Sequence, residues 1–196
     1  MIGIDECATR YRFTIEQFMR MGELAIFDPA DRVELVNGAI IELPPISSRH
    51  MAGVIRVHEL FYGLTARTAL ISVQNPLQVA DSQPQPDVVI LRRRQDFYAT
   101  ALPTASDALL VVEVADETDS YDGGVKGPLY ARGRVPEYWI VDVVRNMVTV
   151  YLAPAAKGYD NVNEYAAHGS WISPALRGRE IQARDVLGPA AGVDER

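Results

Sequence analysis

The chain carries one cysteine, Cys7, in 196 residues. A lone thiol forms no intramolecular disulfide and no cysteine zinc cluster. No apolar run approaches the ~20 residues needed to span a bilayer. The opening MIGIDECATRYRF has no basic stretch followed by an apolar core, so no secretory leader is expected. Positive charge is scarce: 19 Lys and Arg stand against 26 Asp and Glu, a net charge of −7. Proteins that grip nucleic acid by neutralising phosphates are usually basic, overall or on one face. The acidic total argues against a sequence-independent, high-affinity DNA binder. It is compatible with a nuclease, whose metal ligands are themselves acidic and whose basic face can be local. Repeats, low-complexity segments and dividing linkers are also missing. The expectation is a cytoplasmic protein without membrane association. At 48% hydrophobic and 23% charged residues, the composition suits one globular domain over 11–188, with loose ends at 1–10 and 189–196.

What is present reads in order as helix, hairpin, helix and strands. Thr14 and Gln17 form a capping-box pattern ahead of a short amphipathic helix near 14–22. RVELVNGAIIEL places alternating runs on both sides of Asn37-Gly38, a strong hairpin signal because both turn positions need positive φ. Glu34 falls on the opposite face from Val33 and Leu35, and a strand acid of this kind is by default solvated. After Pro44-Pro45, Ser47 or Ser48 is placed to cap a long helix in which Val54, Val57, Leu60, Phe61 and Leu64 recur at three- and four-residue steps. His50 and His58 both lie on it, about two turns apart and too distant to share one metal directly. His58 reads as surface or packing. His50, in the first turn, is within reach of a phosphate or a metal-bound water.

Three short strand-like pieces follow, punctuated by Pro76, Pro84 and Pro86. Asp87 opens the apolar run VVIL, and Arg92, Arg93 and Arg94 close it as the densest positive patch in the chain. The next apolar run, LLVVEV, contains Glu113. An ionised carboxylate in a dry site costs several kcal/mol unless cations or hydrogen bonds compensate it. Beyond it, Gly123, Gly124, Gly127 and Pro128 weaken the next helix and suggest a kink or a late start. Lys126 and Tyr130 share a face if that turn is helical. PEYWIVD and MVTVYLA then pair as strands, and short strands and a final turn complete the chain.

Glu34, Asp87 and Glu113 thus stand at strand positions. Phosphodiester hydrolysis needs an activated water and neutralisation of charge on the phosphate, and Mg²⁺ held by a few carboxylates supplies both. A lysine beside the attacking water orients it or stabilises developing charge. In the usual Asp–Glu–x–Lys arrangement that lysine would occupy position 115, which here is Ala115.

PDVVIL, followed by LLVVEVADETDSYDGGVKGPLYARGRVPEYWIVD, resembles the Uma family of putative restriction endonucleases, within the PD-(D/E)XK nuclease superfamily. RVELVNGAIIEL, SSRHMAGVIRVHEL and QNPLQV add to the resemblance, which spans roughly residues 11–167. It implies a restriction-endonuclease-like α/β core: a central mixed β-sheet flanked by helices, with an N-terminal helix and β-hairpin. It also implies metal ligands at Asp87, Glu113 and Glu34, with Mg²⁺ or Mn²⁺ as cofactor, and a catalytic lysine moved to the following helix as Lys126. His50, Gln74 and Tyr130 are accessory candidates, and Arg92, Arg93 and Arg94 are candidate phosphate contacts. The chain departs from the common family pattern at Glu117 and Asp119, which add negative charge, and at Gly127, which stands where leucine is usual.

The function implied is metal-dependent endonucleolytic hydrolysis of DNA, by a homodimer presenting two sites to two strands, with the apolar terminal strands as candidate contacts. The alternative is a catalytically weak nuclease-fold module that binds nucleic acid or protein. A third, structural reading pairs Glu113 with Lys126 as a buried ion pair and leaves Glu34 and Asp87 as turn or surface acids.

Overall fold

A computed structural model describes residues 10–28, 30–65, 67–116 and 121–188. The expectations for the loose ends at 1–9 and 189–196, and for Glu117 and Asp119, fall outside the described residues. The chain divides into two compact units, Met1–Pro45 with Asp81–Pro84, and Ile46–Ala80 with Gln85–Arg196.

The N-terminal unit holds helix α1 (Ile15–Glu23) and the hairpin β1 (Val33–Val36) and β2 (Ala39–Glu42). The capping box is formed in both directions: the Thr14 hydroxyl accepts from the Gln17 N–H, and the Gln17 side chain accepts from the Thr14 N–H. Asn37 and Gly38 both take positive φ, 49° and 76°, as the hairpin turn requires. Glu34 departs from the solvated default for a strand acid. It faces Ile41 across the hairpin and is fully buried.

The larger unit is built on a six-stranded sheet in the order β3–β4–β5–β6–β7–β8. Its strands are β3 (Ala69–Val73), β4 (Val88–Arg92), β5 (Ala108–Ala115), β6 (Glu137–Asp142), β7 (Met147–Ala155) and β8 (Gly158–Ala166). Only the β5–β6 pair is parallel; every other pair in this sheet is antiparallel. The parallel pair requires a crossover, which a π-helical turn (Asp122–Lys126) and helix α3 (Gly127–Arg132) provide. Pro128 lies in the first turn of α3, directly after the π turn.

Alternation along the strands gives the sheet two different faces. Val88, Ile90, Leu110, Val112, Val114, Trp139, Val141, Val148 and Val150 face helix α2 (Ser48–Thr65), the hairpin β9 (Ser170–Ser173) and β10 (Arg179–Gln182), and the short helix α4 (Ala183–Leu187). The other face turns Glu113 and Tyr138 toward the crossover, where Tyr138 packs on Tyr130 with ring centroids 5.0 Å apart.

Two contacts fix elements that bear on the site. Gly53 lets α2 approach β5 closely: a β-carbon there would sit 2.7 Å from Val114 Cγ1 and 3.3 Å from Val143 Cγ1. Glu137, fully buried, ties β6 to the C-terminal hairpin. It accepts from the Trp139 indole N–H at 2.8 Å, the Ser173 hydroxyl at 2.9 Å and the Ala175 N–H at 2.9 Å. Burial pushes its carboxyl above the usual range, while these three donors pull it back.

Gly53→Ala gains helix propensity of about 1 kcal/mol but forces a methyl into buried strand side chains, so a net destabilisation of about 1–2 kcal/mol is expected in urea unfolding. Glu137→Ala strands three buried donors and is expected to cost about 3 kcal/mol in the same measurement, with the hairpin amides losing hydrogen-exchange protection first.

Candidate active site

β4 and β5 bring the first two acids together. Val88 pairs with Val112, so Asp87, one residue earlier, lies beside Glu113. The Asp87 N–H donates to Glu113 Oε2 at 3.3 Å, and Asp87 Oδ2 accepts from the Val114 N–H at 2.8 Å. Pro86, whose φ is fixed, delivers the chain to this point, and its carbonyl accepts from the Gln74 N–H. Gln74 sits at φ 51° just past β3, and its side-chain amide donates to Asp87 Oδ1 at 3.2 Å.

Each acid is met by a cationic or cation-forming side chain. Lys126, only 4% exposed, places Nζ 3.0 Å from Glu113 Oε1. The same oxygen accepts from the Tyr130 hydroxyl at 2.7 Å. Lys126 is steadied further by Asp122 Oδ1 at 3.6 Å, four residues back on the turn, and by the Tyr121 ring with its centroid 5.4 Å from Nζ. The π turn closes on a bond from the Gly127 N–H to the Asp122 carbonyl, and α3, which continues from it, puts Lys126 and Tyr130, four residues apart, on one face toward the same carboxylate oxygen. Gly127 is buried in helical conformation at the junction of the π turn with α3.

At Asp87 the partner is His50. Its Nε2 lies 2.9 Å from Asp87 Oδ1. The ring is placed by the start of α2, where the Ser47 hydroxyl accepts from the His50 N–H and itself donates to Asp116. The hydrogen bond to Asp87 raises His50 above its ordinary value, against a smaller effect of burial. Burial works against ionising Asp87, but His50, the Val114 N–H and Gln74 together hold its carboxyl below its ordinary value.

The remaining candidates are placed differently. Glu34 lies in the N-terminal unit, buried in β1. Arg92–Arg94 are not brought to the acids: they leave the opposite end of β4 from Asp87, about 17 Å away along an extended strand. Arg92 Nε donates to the Ser106 carbonyl, Arg93 lies over the Phe97 ring, and Arg94 forms a two-pronged bond with Asp96. The Thr100 hydroxyl and Arg94 hold the Asp96 carboxyl down to about 2. An extended strand carries its two ends apart, so closeness to Asp87 in sequence is not closeness in space. His58 stacks with Tyr62 on α2 and takes no part in the site. Ser47 caps α2 as one of the two serines expected there, while Asp122 and Asp116 are supporting residues whose roles sequence reasoning did not assign. For Asp122 the four-residue spacing to Lys126 was an available signal.

Residues 15–184 match the family model of Uma2, described as putative restriction endonuclease. The chain belongs to the Uma2 family. No curated protein matches it. Among solved structures, it is similar to one described as a putative nuclease belonging to DUF820 from Anabaena variabilis. The TM-score is 0.72 at 15% identity, covering 89% of this chain and 97% of that one. At this identity the likeness shows the fold, which is the nuclease-like mixed α/β sheet expected from the sequence.

The donor chemistry fits a small hard cation. Among the described residues no group of three or more His, Cys, Asp and Glu forms a ready-made metal cage. Mg²⁺ does not require one: it keeps several waters and is commonly held by one or two carboxylates. Asp87 and Glu113, adjacent and all-oxygen, meet that requirement. Among the described residues no helix is long and apolar enough to cross a membrane.

The His50–Asp87 pair gives the metal-free protein a characteristic pH profile. Asp87, held below its ordinary 3.8, contributes stability that is present above that value and lost as pH falls through its folded value. His50, raised above 6.5, contributes stability that is full below 6.5 and lost as pH rises through its folded value. In chelator-containing buffer, the stability difference between wild type and His50→Ala is expected to peak near pH ~5 and to shrink toward both extremes. Urea unfolding across pH measures it.

Proposed function

We propose that this protein is a metal-dependent endonuclease hydrolysing DNA phosphodiester bonds. The observation that supports the reading best is the convergence of Asp87, Glu113 and Lys126, with the Lys126 ammonium 3.0 Å from the Glu113 carboxylate at the edge of two adjacent strands. In this reading Asp87 and Glu113 bind Mg²⁺ or Mn²⁺. The cation, when bound, neutralises phosphate charge and makes a water more acidic.

The chain's own residues do the rest. Lys126, an ammonium beside Glu113, would donate to a phosphate oxygen or to the attacking water. Tyr130 and Gln74 fix the orientations of Glu113 and Asp87 through bonds of 2.7 and 3.2 Å. Ala115 presents only a methyl group where the usual lysine would stand, which is consistent with a cation supplied from the crossover. Two copies would present two such sites to the two strands of a duplex, and a homodimer is the assembly this proposal carries.

A second reading, a nuclease-fold module with little catalysis that binds nucleic acid or protein, is favoured by one observation: both acids already have cationic or cation-forming partners within the chain. Calorimetry separates the two. Nucleic acid binding without Mg²⁺ or Mn²⁺ binding supports the module.

On supercoiled plasmid with Mg²⁺ or Mn²⁺, wild type is expected to nick, and Asp87→Ala, Glu113→Gln and Lys126→Ala each to lower the rate at least ~100-fold while remaining folded by circular dichroism. Equal trace activity in wild type and Asp87→Ala would remove the catalytic assignment.

A further inference from the structure

The His50 ring is not merely near the acids. Its Nε2 takes the same Asp87 oxygen, Oδ1, that Gln74 holds from the other side, while Oδ2 is turned into the sheet toward the Val114 N–H. The His50 side chain is 15% exposed and that of Asp87 8%, against 5% and 3% for Lys126 and Glu113. The ring is thus the most solvent-accessible of the four, and it sits on the oxygen that is not committed to the strand backbone. It is also held from behind. Ser47 caps the α2 backbone at His50, and Gly53, one turn on, seats the helix against Val114.

We propose that the His50 imidazole is a built-in surrogate for the cation at Asp87, and that a divalent ion gains Asp87 by displacing it. This rests on the metal reading of the site given above. The physical logic is competition for lone pairs. A carboxylate oxygen offers about two acceptor positions, and His50 and Gln74 fill those of Oδ1. A hard cation brings a larger charge than an imidazole and forms shorter contacts to oxygen, about 2.0–2.1 Å for Mg²⁺. The ring therefore yields at sufficient metal concentration, and until then it keeps the buried carboxylate compensated. In this role His50 lowers metal affinity while stabilising the metal-free fold. A residue that only oriented Asp87 for the metal would do the opposite and raise affinity.

Calorimetric titration of Mn²⁺ into wild type, His50→Ala and Asp87→Asn tests the proposal. His50→Ala is expected to bind Mn²⁺ roughly tenfold more tightly than wild type, the scale of one charge-assisted hydrogen bond no longer broken on binding. It is also expected to melt lower than wild type in chelator and to gain more than wild type on adding Mn²⁺. Asp87→Asn is expected to bind weakly or not at all. Equal or weaker binding by His50→Ala, with wild type binding normally, overturns the surrogate role and leaves the metal site standing. No Mn²⁺ binding by wild type or by His50→Ala overturns the metal reading and the surrogate role with it. Should His50→Ala fail to fold, the wild type still decides. On titration with Mg²⁺, the His50 ring ¹⁵N resonances are expected to shift as the Asp87 bond is lost, and unchanged resonances at saturation overturn the proposal.

Discussion

The structure around the site depends on keeping two carboxylates ionised and nearly dry. Asp87 and Glu113 are 6% and 2% exposed, and each is a group whose uncompensated burial would cost a large share of a domain's net stability. The fold compensates them from two opposite sides. The crossover brings Lys126 and Tyr130 down on Glu113, and α2 brings His50 to Asp87, with Gln74 closing the set. The backbone contributes too. The Asp87 N–H reaches Glu113 and the Val114 N–H reaches Asp87, so the two acids are cross-linked through the strands that carry them. Removing one partner leaves a buried charge exposed to its full desolvation cost, which is why such an arrangement is sensitive to single substitutions.

Much of this was legible in the sequence wherever the signal was local. The Thr14–Gln17 box, the Asn37-Gly38 turn and the α2 periodicity need only neighbours a few residues away, and all three are formed. The lone Glu113 in an apolar strand required a partner, and the shared face of Lys126 and Tyr130 supplied one four residues wide. What stayed hidden depends on packing between distant segments. Alternation gave Glu34 to solvent, whereas the structure buries it, because a two-residue period assigns faces without saying which face is covered. Glu137 reads as an ordinary strand residue until Ser173 and Ala175, 36 and 38 residues later, donate to it. Arg92–Arg94 follow Asp87 closely in sequence, yet an extended strand carries them to its other end.

The family match and the structural likeness agree with the architecture and leave the chemistry to this chain's own residues. Here the lysine's origin is the distinctive point. Ala115, on β5 two residues past Glu113, is 6% exposed and carries no charge. The cation comes instead from a π turn, a winding with wider hydrogen-bonded loops than an α-helix and one often found where function demands a particular side-chain direction.

That origin separates two kinds of adjustment. The spacing of Asp87 and Glu113 is locked to the β4–β5 register, and a slip of one residue would turn Glu113 to the face lined by Trp139 and Val112. The reach of Lys126 is instead set by the winding of five residues between Asp122 and Lys126, outside the sheet ladder. Shortening that turn by one residue would convert it to α-helical winding and swing the ammonium roughly 100° around the helix axis without moving either acid. The acids and the Lys126 ammonium are therefore set by different parts of the chain, and an engineer could retune the charge beside Glu113 through the turn while leaving the sheet untouched.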